Sequence, residues 1–318
     1  MLNRRKFIQN TGLASLATIA STNKIWANPS MLNKVGIQLF SVPKMLNENF
    51  DGALAMLAEI GFKEIEMYGP YPFSTDLAKK YWSSVTGSLG FEGSGFFGKS
   101  STEIASSLKS HGLSVPSMHT DLDTLQKKLG LLADAAHKIG AKYVVLPSIP
   151  EDHRKTIDDY KKTAEAFNKI GAEAVKNGIR FAYHNHGYGL QVSNGKMPLD
   201  FILEGTDPNL VFLEMDLYWT TAGGANPIEL LKKHSGRYKM MHVKDMKQKV
   251  HFSGDGGDAS QWIALFPFMS SAGDGILDLN NILKVAKENG TQHFFVEQDM
   301  VLNPEIALKR SYNYLKSI

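Results

Sequence analysis

No cysteine occurs in the 318 residues, which excludes disulfides, a thiolate metal site and a lipid-modified cysteine behind a leader. Charge of one sign is scarce as well. The formal net charge is +3, and Arg4, Arg5, Lys6 and Lys24, with no acid among the first 27 residues, supply more than all of it. Without these four the remainder stands at −1. A near-neutral domain has no field for a phosphate backbone, so nucleic acid is not an expected partner. Past the N-terminus no apolar run is long enough to span a bilayer, and no low-complexity tract interrupts the chain. A glycine-rich phosphate turn is missing too: Phe40-Ser-Val-Pro43 follows the first strand pattern, which argues against an open dinucleotide-binding sheet.

What is present begins with a basic segment, Asn3-Arg-Arg-Lys-Phe-Ile8. The small, weakly apolar run Thr11 to Ala20 and the Ile25-Trp26-Ala27 end complete it. Residues 1–27 read as a twin-arginine export signal, so a periplasmic or otherwise exported protein is expected, with its domain over residues 33–318. At 43% apolar residues, that domain has the material for a large core.

From Val35 onward, β-rich runs alternate with helical patterns. Strands are expected at Val35–Phe40, Glu64–Met67, Ser114–His119, Tyr143–Leu146, Arg180–Asn185, Val211–Asp216, Tyr238–Val243 and His293–Glu297. Between them, apolar spacing such as Leu125, Leu129, Leu132, Ala136 and Ile139 marks amphipathic helices, several stopped by glycine at 61, 112, 140 and 178. Two stretches read as loops: the Gly/Ser-rich Ser83–Ser101 and a long connection from Lys244 to Gly275, expected over the pocket. Eight strand–helix units in this length define the fold class as α/β, a single (β/α)8 barrel.

In such a barrel chemistry sits where strands end, and here nearly every strand closes on a charge or an imidazole. Glu66, His119, His184-Asn185-His186, Asp216, His242 with Lys244-Asp245, and Glu297-Gln298-Asp299 fall on one rim. Two imidazoles with two carboxylates form a donor set for one divalent ion. Mn²⁺ is expected first, with Co²⁺, Zn²⁺, Fe²⁺ or Mg²⁺ as alternatives. Such an ion can hold neighbouring oxygens of a carbohydrate and stabilise the enediolate formed when an adjacent C–H is deprotonated.

Six segments carry a family resemblance: Val35-Gly-Ile-Gln-Leu-Phe40, Ala182-Tyr-His-Asn-His186, Leu213-Glu-Met-Asp216, Met241-His-Val-Lys-Asp245, Gly273-Asp-Gly-Ile-Leu-Asp278 and Phe295-Val-Glu-Gln-Asp299. In this ordered series the chain resembles the sugar phosphate isomerase/epimerase group of the xylose isomerase-like TIM barrels, which includes inosose dehydratases. The resemblance implies metal ligands at His184, Asp216, His242 and Glu297. It implies catalytic roles for Glu297, His119, His186 and Lys244, and substrate contacts from Glu66, Asn185, Trp219 and Asp245. In the epimerases the strand-five position is a glutamate that works with the strand-eight glutamate; His184 stands there in this chain. An imidazole whose lone pair is committed to a metal is a poor base, so the two-carboxylate mechanism does not carry over.

The expected activity is a metal-dependent sugar isomerase or epimerase working through a metal-bound enediolate. A lyase that expels a β-substituent from a keto-inositol or a 3-keto-glycoside is the alternative, and export favours it, because glycosides rather than sugar phosphates are met outside the cytoplasm. A non-catalytic sugar-binding barrel, with Trp219, Trp262, Tyr188 and Tyr218 as stacking surfaces, is the reading from another class. The related DNA-repair endonucleases need a basic groove that this composition lacks.

Overall fold

The structure, a computed structural model, describes residues 30–192, 195–299 and 301–318. The leader expected over residues 1–27 lies outside them.

Among the described residues ten strands run in chain order: β1 (Gly36–Gln38), β2 (Glu64–Tyr68), β3 (Ser114–His119), β4 (Tyr143–Leu146), β5 (Arg180–His184), β6 (Val211–Asp216), β7 (Tyr238–Val243), β8 (Asp245–Met246), β9 (Met269–Ser270) and β10 (His293–Val296). Eight of them close into a barrel in the order β1-β10-β7-β6-β5-β4-β3-β2, all parallel, while β8 and β9 form an antiparallel pair of their own. The expected (β/α)8 barrel is therefore the fold.

Parallel barrel strands are covered on both faces, which is why they read as short, almost wholly apolar runs rather than as clean alternation. Local chemistry sets the helices between them. Asn49 caps Phe50–Ile60 by accepting from the Gly52 N–H, and Gly61 ends that helix at φ 119°, a conformation open to glycine at little cost. Ser100 and Glu103 form a reciprocal capping box before Ser101–Ser110, as Thr156 and Asp159 do before Ile157–Lys176.

Three local expectations change. The first strand stops at Gln38, whose side chain accepts the Phe40 N–H and starts a 3-10 turn at Leu39–Ser41. The Leu125–Ile139 pattern is two helices, Leu122–Lys127 and Leu129–Ile139, because the backbone turns out of helical geometry at Lys128. Much of the supposed loop after Ser83 is the end of a helix, Asp76–Leu89, capped by Thr75 and closed by Gly90 at φ 74°. Its serines lie along an exposed face where polarity does not oppose helix formation.

Period-two alternation fills the barrel in tiers. Tyr143, Val145, Ala182, Met240 and Phe295, with Phe212 partly buried against them, form an apolar cluster inside it. Two residues further along the same strands come Glu214, His184, His242 and Glu297, and two further still Asp216, His186, Lys244 and Asp299. The apolar plug thus supports a polar layer at the C-terminal end.

At the N-terminal end, Glu64 on β2 lies 2.8 Å from His293 Nδ1 and 3.5 Å from Lys34 Nζ. Burial pushes the Glu64 carboxyl up, but the His293 hydrogen bond and the two nearby charges outweigh it and leave the pKa lowered. A depressed carboxylate contributes stability above its unfolded value near 4.5, and that contribution disappears as pH falls through the folded value. Glu64→Gln is expected to lose roughly 1.5–3 kcal/mol of urea-measured stability at pH 7, the scale of a hydrogen bond to a charged group. The deficit should shrink steadily below pH 4.5. A deficit independent of pH would mean that the pair contributes no acid sensitivity.

Candidate metal centre and active site

His242, wholly buried on β7, joins two groups of donors. Its Nε2 lies 2.6 Å from Glu66 Oε2 and 3.4 Å from Glu214 Oε2, while its Nδ1 lies 2.6 Å from Glu297 Oε2 and 4.0 Å from Asp216 Oδ2. The inner group consists of His119, His184, Glu214 and His242; the outer group consists of Asp216, His242 and Glu297.

Parallel register brings these chains together. His184 pairs with Glu214 across β5 and β6, and Asp216 with His242 across β6 and β7. His119 Nε2 approaches Glu214 Oε2 at 2.8 Å and Glu66 Oε2 at 3.0 Å. His184 presents Nδ1 to Glu214 at 3.1 Å and Nε2 to Asp216 at 3.8 Å. Gln38 and Ser117 donate to Glu66 at 2.8 and 2.5 Å. In the outer group Lys244 Nζ sits 2.9 Å from Asp216, 2.7 Å from Glu297 and 2.8 Å from Asp299.

Glu66, Glu214, Asp216, Glu297 and Asp299 are all buried, facing the Lys244 ammonium and the imidazoles of His119, His184 and His242. Burial, and then the charge on Glu66, push Glu214 up to about 7; burial pushes Asp299 up to about 6. Burial alone would lower His119, but Glu66 and Glu214 lift it to about 9, and His242 is raised by Glu214, Glu297 and Glu66 against the same burial. Burial also opposes the charge on Glu297, yet Lys244 and His242 hold its carboxyl well below the usual range. Glu214 Oε1 is buried without a hydrogen-bond partner. Unpaired buried carboxylates cost several kcal/mol each, so an imidazole-rich cluster of this kind fits a divalent cation by both charge and donor chemistry.

The expected site residues separate into distinct environments. His184, Asp216 and His242 are close neighbours, with His184 Nδ1 on Glu214 and Nε2 toward Asp216, while Glu297 groups with Asp216 and His242. Glu66 lies against the inner group, touching His119 and His242, and is wholly buried. Asn185 bridges Thr220 and the Asp216 N–H, supporting β6. Asp245 does not face the pocket: its carboxylate accepts the N–H groups of Met246, Gly273, Gly275 and Leu277, and so organises the connection after β7. His186 Nδ1 donates to the Pro147 carbonyl at 2.6 Å, leaving Nε2 as the acceptor. Its ring lies 4.7 Å from Trp262 and 6.3 Å from Trp219.

Trp262 comes from the Lys244–Gly275 connection, which carries β8, β9 and a helix at Ala259–Leu265. That segment is tied down. Arg154 Nη2 donates to the Gly257 carbonyl at 2.8 Å, its guanidinium lies 4.1 Å from the Tyr188 ring centre, and Phe252 packs so closely on Gly187 that no Cβ would fit there.

Glu214 is not among the residues expected from the sequence, where Asp216 alone stands for the sixth strand. In Val211-Phe-Leu-Glu-Met-Asp216 the alternation puts Glu214 on the same face as Asp216, and that spacing was the available signal.

A parallel barrel with an imidazole and carboxylate cluster at the C-terminal strand ends defines a class of barrel enzymes. The family model of the xylose isomerase-like TIM barrel matches residues 54–318. This chain belongs to that family and is an enzyme. It is 26% identical over 304 residues to the inosose dehydratase of Clostridium beijerinckii, covering 86% of this chain and 92% of the relative. Among solved structures it resembles a sugar phosphate isomerase/epimerase from Parabacteroides distasonis, with TM-score 0.69, 22% identity and coverage of 89% and 93%. It also resembles an IolI protein with a bound zinc atom, with TM-score 0.62, 16% identity and coverage of 88% and 95%. Among the described residues no helix is long and apolar enough to cross a membrane.

Proposed function

We propose that this protein is a divalent-cation-dependent carbon–oxygen lyase that eliminates a β-substituent from a keto-inositol or a 3-keto-glycoside. The carrying observation is the surroundings of His184. Epimerisation needs proton-handling groups on opposite faces of the substrate, but both nitrogens of His184 face carboxylates, Glu214 at 3.1 Å and Asp216 at 3.8 Å. That leaves Glu297 as the group best suited to handle a proton. The likeness to an inosose dehydratase over most of both chains supports the same reading.

Elimination needs no second face. Glu297, kept ionised by Lys244 and His242, takes the proton from the carbon next to the carbonyl. The C–H electrons form the new C=C bond as the C–O bond breaks, and Glu297 returns the proton to the departing oxygen. Lys244 stabilises the oxygen that gains charge, and His186 accepts a substrate hydroxyl at Nε2 beside Trp262 and Trp219. The His242-centred cluster would hold a divalent cation, which would supply positive charge beside the substrate oxygens. His119 and Glu66 set the imidazoles of that cluster, and Asn185 holds β6. Export, expected from Arg4 and Arg5, favours glycosides as substrates.

One-face proton transfer by Glu297 also suits an isomerase, so the decisive assay separates the two. Cation-loaded protein is incubated with an aryl 3-keto-glucoside and with a keto-inositol, and separately with a free ketose in D2O. Release of the phenol, or of water from the inositol, is the expected result. Deuterium incorporation into the ketose with every C–O bond intact would replace the lyase reading with isomerisation.

A further inference from the structure

A cavity of about 490 Å³ opens beside the polar layer, between the segment around the β8–β9 pair and the chain that follows β10. Its apolar wall consists of Phe266, Met269, Val301, Leu302 and Ile306. Gln298 and Asp299 form its inner end, so it begins one residue beyond Glu297. Two contacts join it to the groups that carry the chemistry. Lys244 Nζ donates to Asp299 at 2.8 Å while lying 2.7 Å from Glu297. Phe266 packs on Trp219 with ring centres 6.2 Å apart, and the Lys244 ammonium lies 5.4 Å from the centre of that same Trp219 ring. Contacts thus run from His186 through Trp219 and Lys244 to Asp299 and the cavity.

Size and lining discriminate between the two leaving groups open to an elimination. A keto-inositol loses water, which takes about 30 Å³ of liquid volume, and nearly all of this space would go unused. A 3-keto-glycoside loses the whole group on its anomeric oxygen, and clefts for ligands of that size measure about 300–1,000 Å³. Charge is not what the wall presents. The cations at the rim already have oxygen partners, Lys247 on the Pro267 carbonyl at 2.7 Å and Arg310 beside Asp274 at 3.3 Å. An anionic guest would also meet the Asp299 carboxylate. Leu302 and Ile306, by contrast, are 94% and 60% exposed and lose unfavourable contact with water when an apolar group covers them. A flat ring suits Phe266 and the Met269 thioether. A phenol, with a pKa of about 10 like tyrosine, is also a better leaving group than water at about 15.7.

We propose that this cavity is the aglycone site of the enzyme and that its occupant is an uncharged aryl group, so that the substrate class is aryl 3-keto-glycosides rather than keto-inositols. The assignment rests on the elimination reading and fixes how the substrate lies. The sugar ring faces His186 and Trp262, the anomeric oxygen lies at Glu297 and Lys244, and the aglycone extends past Asp299. The C–O bond that breaks joins the two halves. Its oxygen keeps the bonding electrons, takes the proton that Glu297 removed from the carbon next to the carbonyl, and leaves as a phenol.

Binding is read first, with glycosides that cannot react. Methyl and phenyl glucosides, which carry no 3-keto group, are titrated calorimetrically into cation-loaded full-length protein. The phenyl glucoside should bind roughly 10- to 100-fold tighter, the scale of burying one aromatic ring. Ala307→Trp, which fills the cavity, and Ile306→Asp, which puts a charge on its wall, should each cut that preference below about threefold. Ile306 is an exposed residue in the first turn of the helix Pro304–Ser317, where an acid is well tolerated, so this variant folds even if Ala307→Trp does not. Equal affinity for the two glucosides, binding of neither, or a phenyl preference that survives Ile306→Asp would overturn the assignment. A dimer that Ile306→Asp splits without changing phenyl affinity would do the same, because the cavity would then seat a second copy of the chain. Turnover separates this result from the elimination reading. Equal KM for methyl and phenyl 3-keto-glucosides with release of both aglycones would leave the elimination standing and remove the aglycone site. Tighter phenyl binding without release of phenol would keep the site and remove the elimination.

Discussion

His242→Gln is expected to release the cation and lower kcat by more than about 10³-fold, beyond the loss seen when one oxyanion donor is removed from an enzyme. The size of the effect follows from position. His242 touches Glu66, Glu214 and Glu297 within 3.4 Å and is the one residue common to both donor groups. Glutamine keeps much of the volume, but its two N–H donors sit on one nitrogen, whereas the imidazole has two separate nitrogens, one facing Glu66 and the other Glu297. Removing one partner from a buried charged cluster costs about 3–5 kcal/mol, so the variant should also melt several degrees lower. The diagnostic measurement is thermal unfolding with and without excess Zn²⁺. Wild type should be stabilised by an amount that grows with the logarithm of metal concentration, and the variant should show no shift. A variant that still gains stability from Zn²⁺ would mean that His242 is not a ligand.

The barrel was legible in the chain because its rules are local. Buried parallel strands such as Tyr143-Val-Val-Leu146 are short apolar runs, and glycines at 61, 112, 140 and 178 all take positive φ at or just beyond the helix ends where the pattern stops. The rim was legible for the same reason, since topology alone delivers strand ends to one side. What stayed hidden depends on side-chain direction and reach. Nothing in Met241-His-Val-Lys-Asp245 says that Lys244 folds back among three carboxylates while its neighbour Asp245 turns away to hold a loop. Nothing in Ala182-Tyr-His184 says which imidazole nitrogen meets Glu214. That Ser117 comes to lie opposite Glu66 was obscured by a register shift between β2 and β3 that only pairing reveals. Helix Asp76–Leu89 was underestimated because serine content in Ser83-Ser84 reads as loop when the capping Thr75, eight residues earlier, is not considered.

Lys244→Met should have the second large effect, on both turnover and stability. The side chain is 2% exposed and is the ammonium partner of Asp216, Glu297 and Asp299. Methionine fills the volume and leaves three buried carboxylates facing one another, which cannot all remain ionised. A lysine whose folded pKa is raised contributes stability that is fully present below its unfolded value near 10.5, so wild type holds this contribution throughout the neutral range. In the variant the carboxylates instead take up protons on folding, which makes folding weaker as pH rises. The stability gap between the two proteins should therefore be small near pH 5 and widen toward pH 8, to about 3–5 kcal/mol. Turnover should fall by about 10²–10⁴-fold, the range for losing a positioned acid–base group, because Glu297 no longer stays ionised to accept the substrate proton. Lys244→Arg separates charge from shape. Its planar fork cannot direct donors to three converging oxygens, so it should restore part of the stability at pH 8 but little of the turnover. Equal recovery of both would mean that Lys244 supplies charge alone.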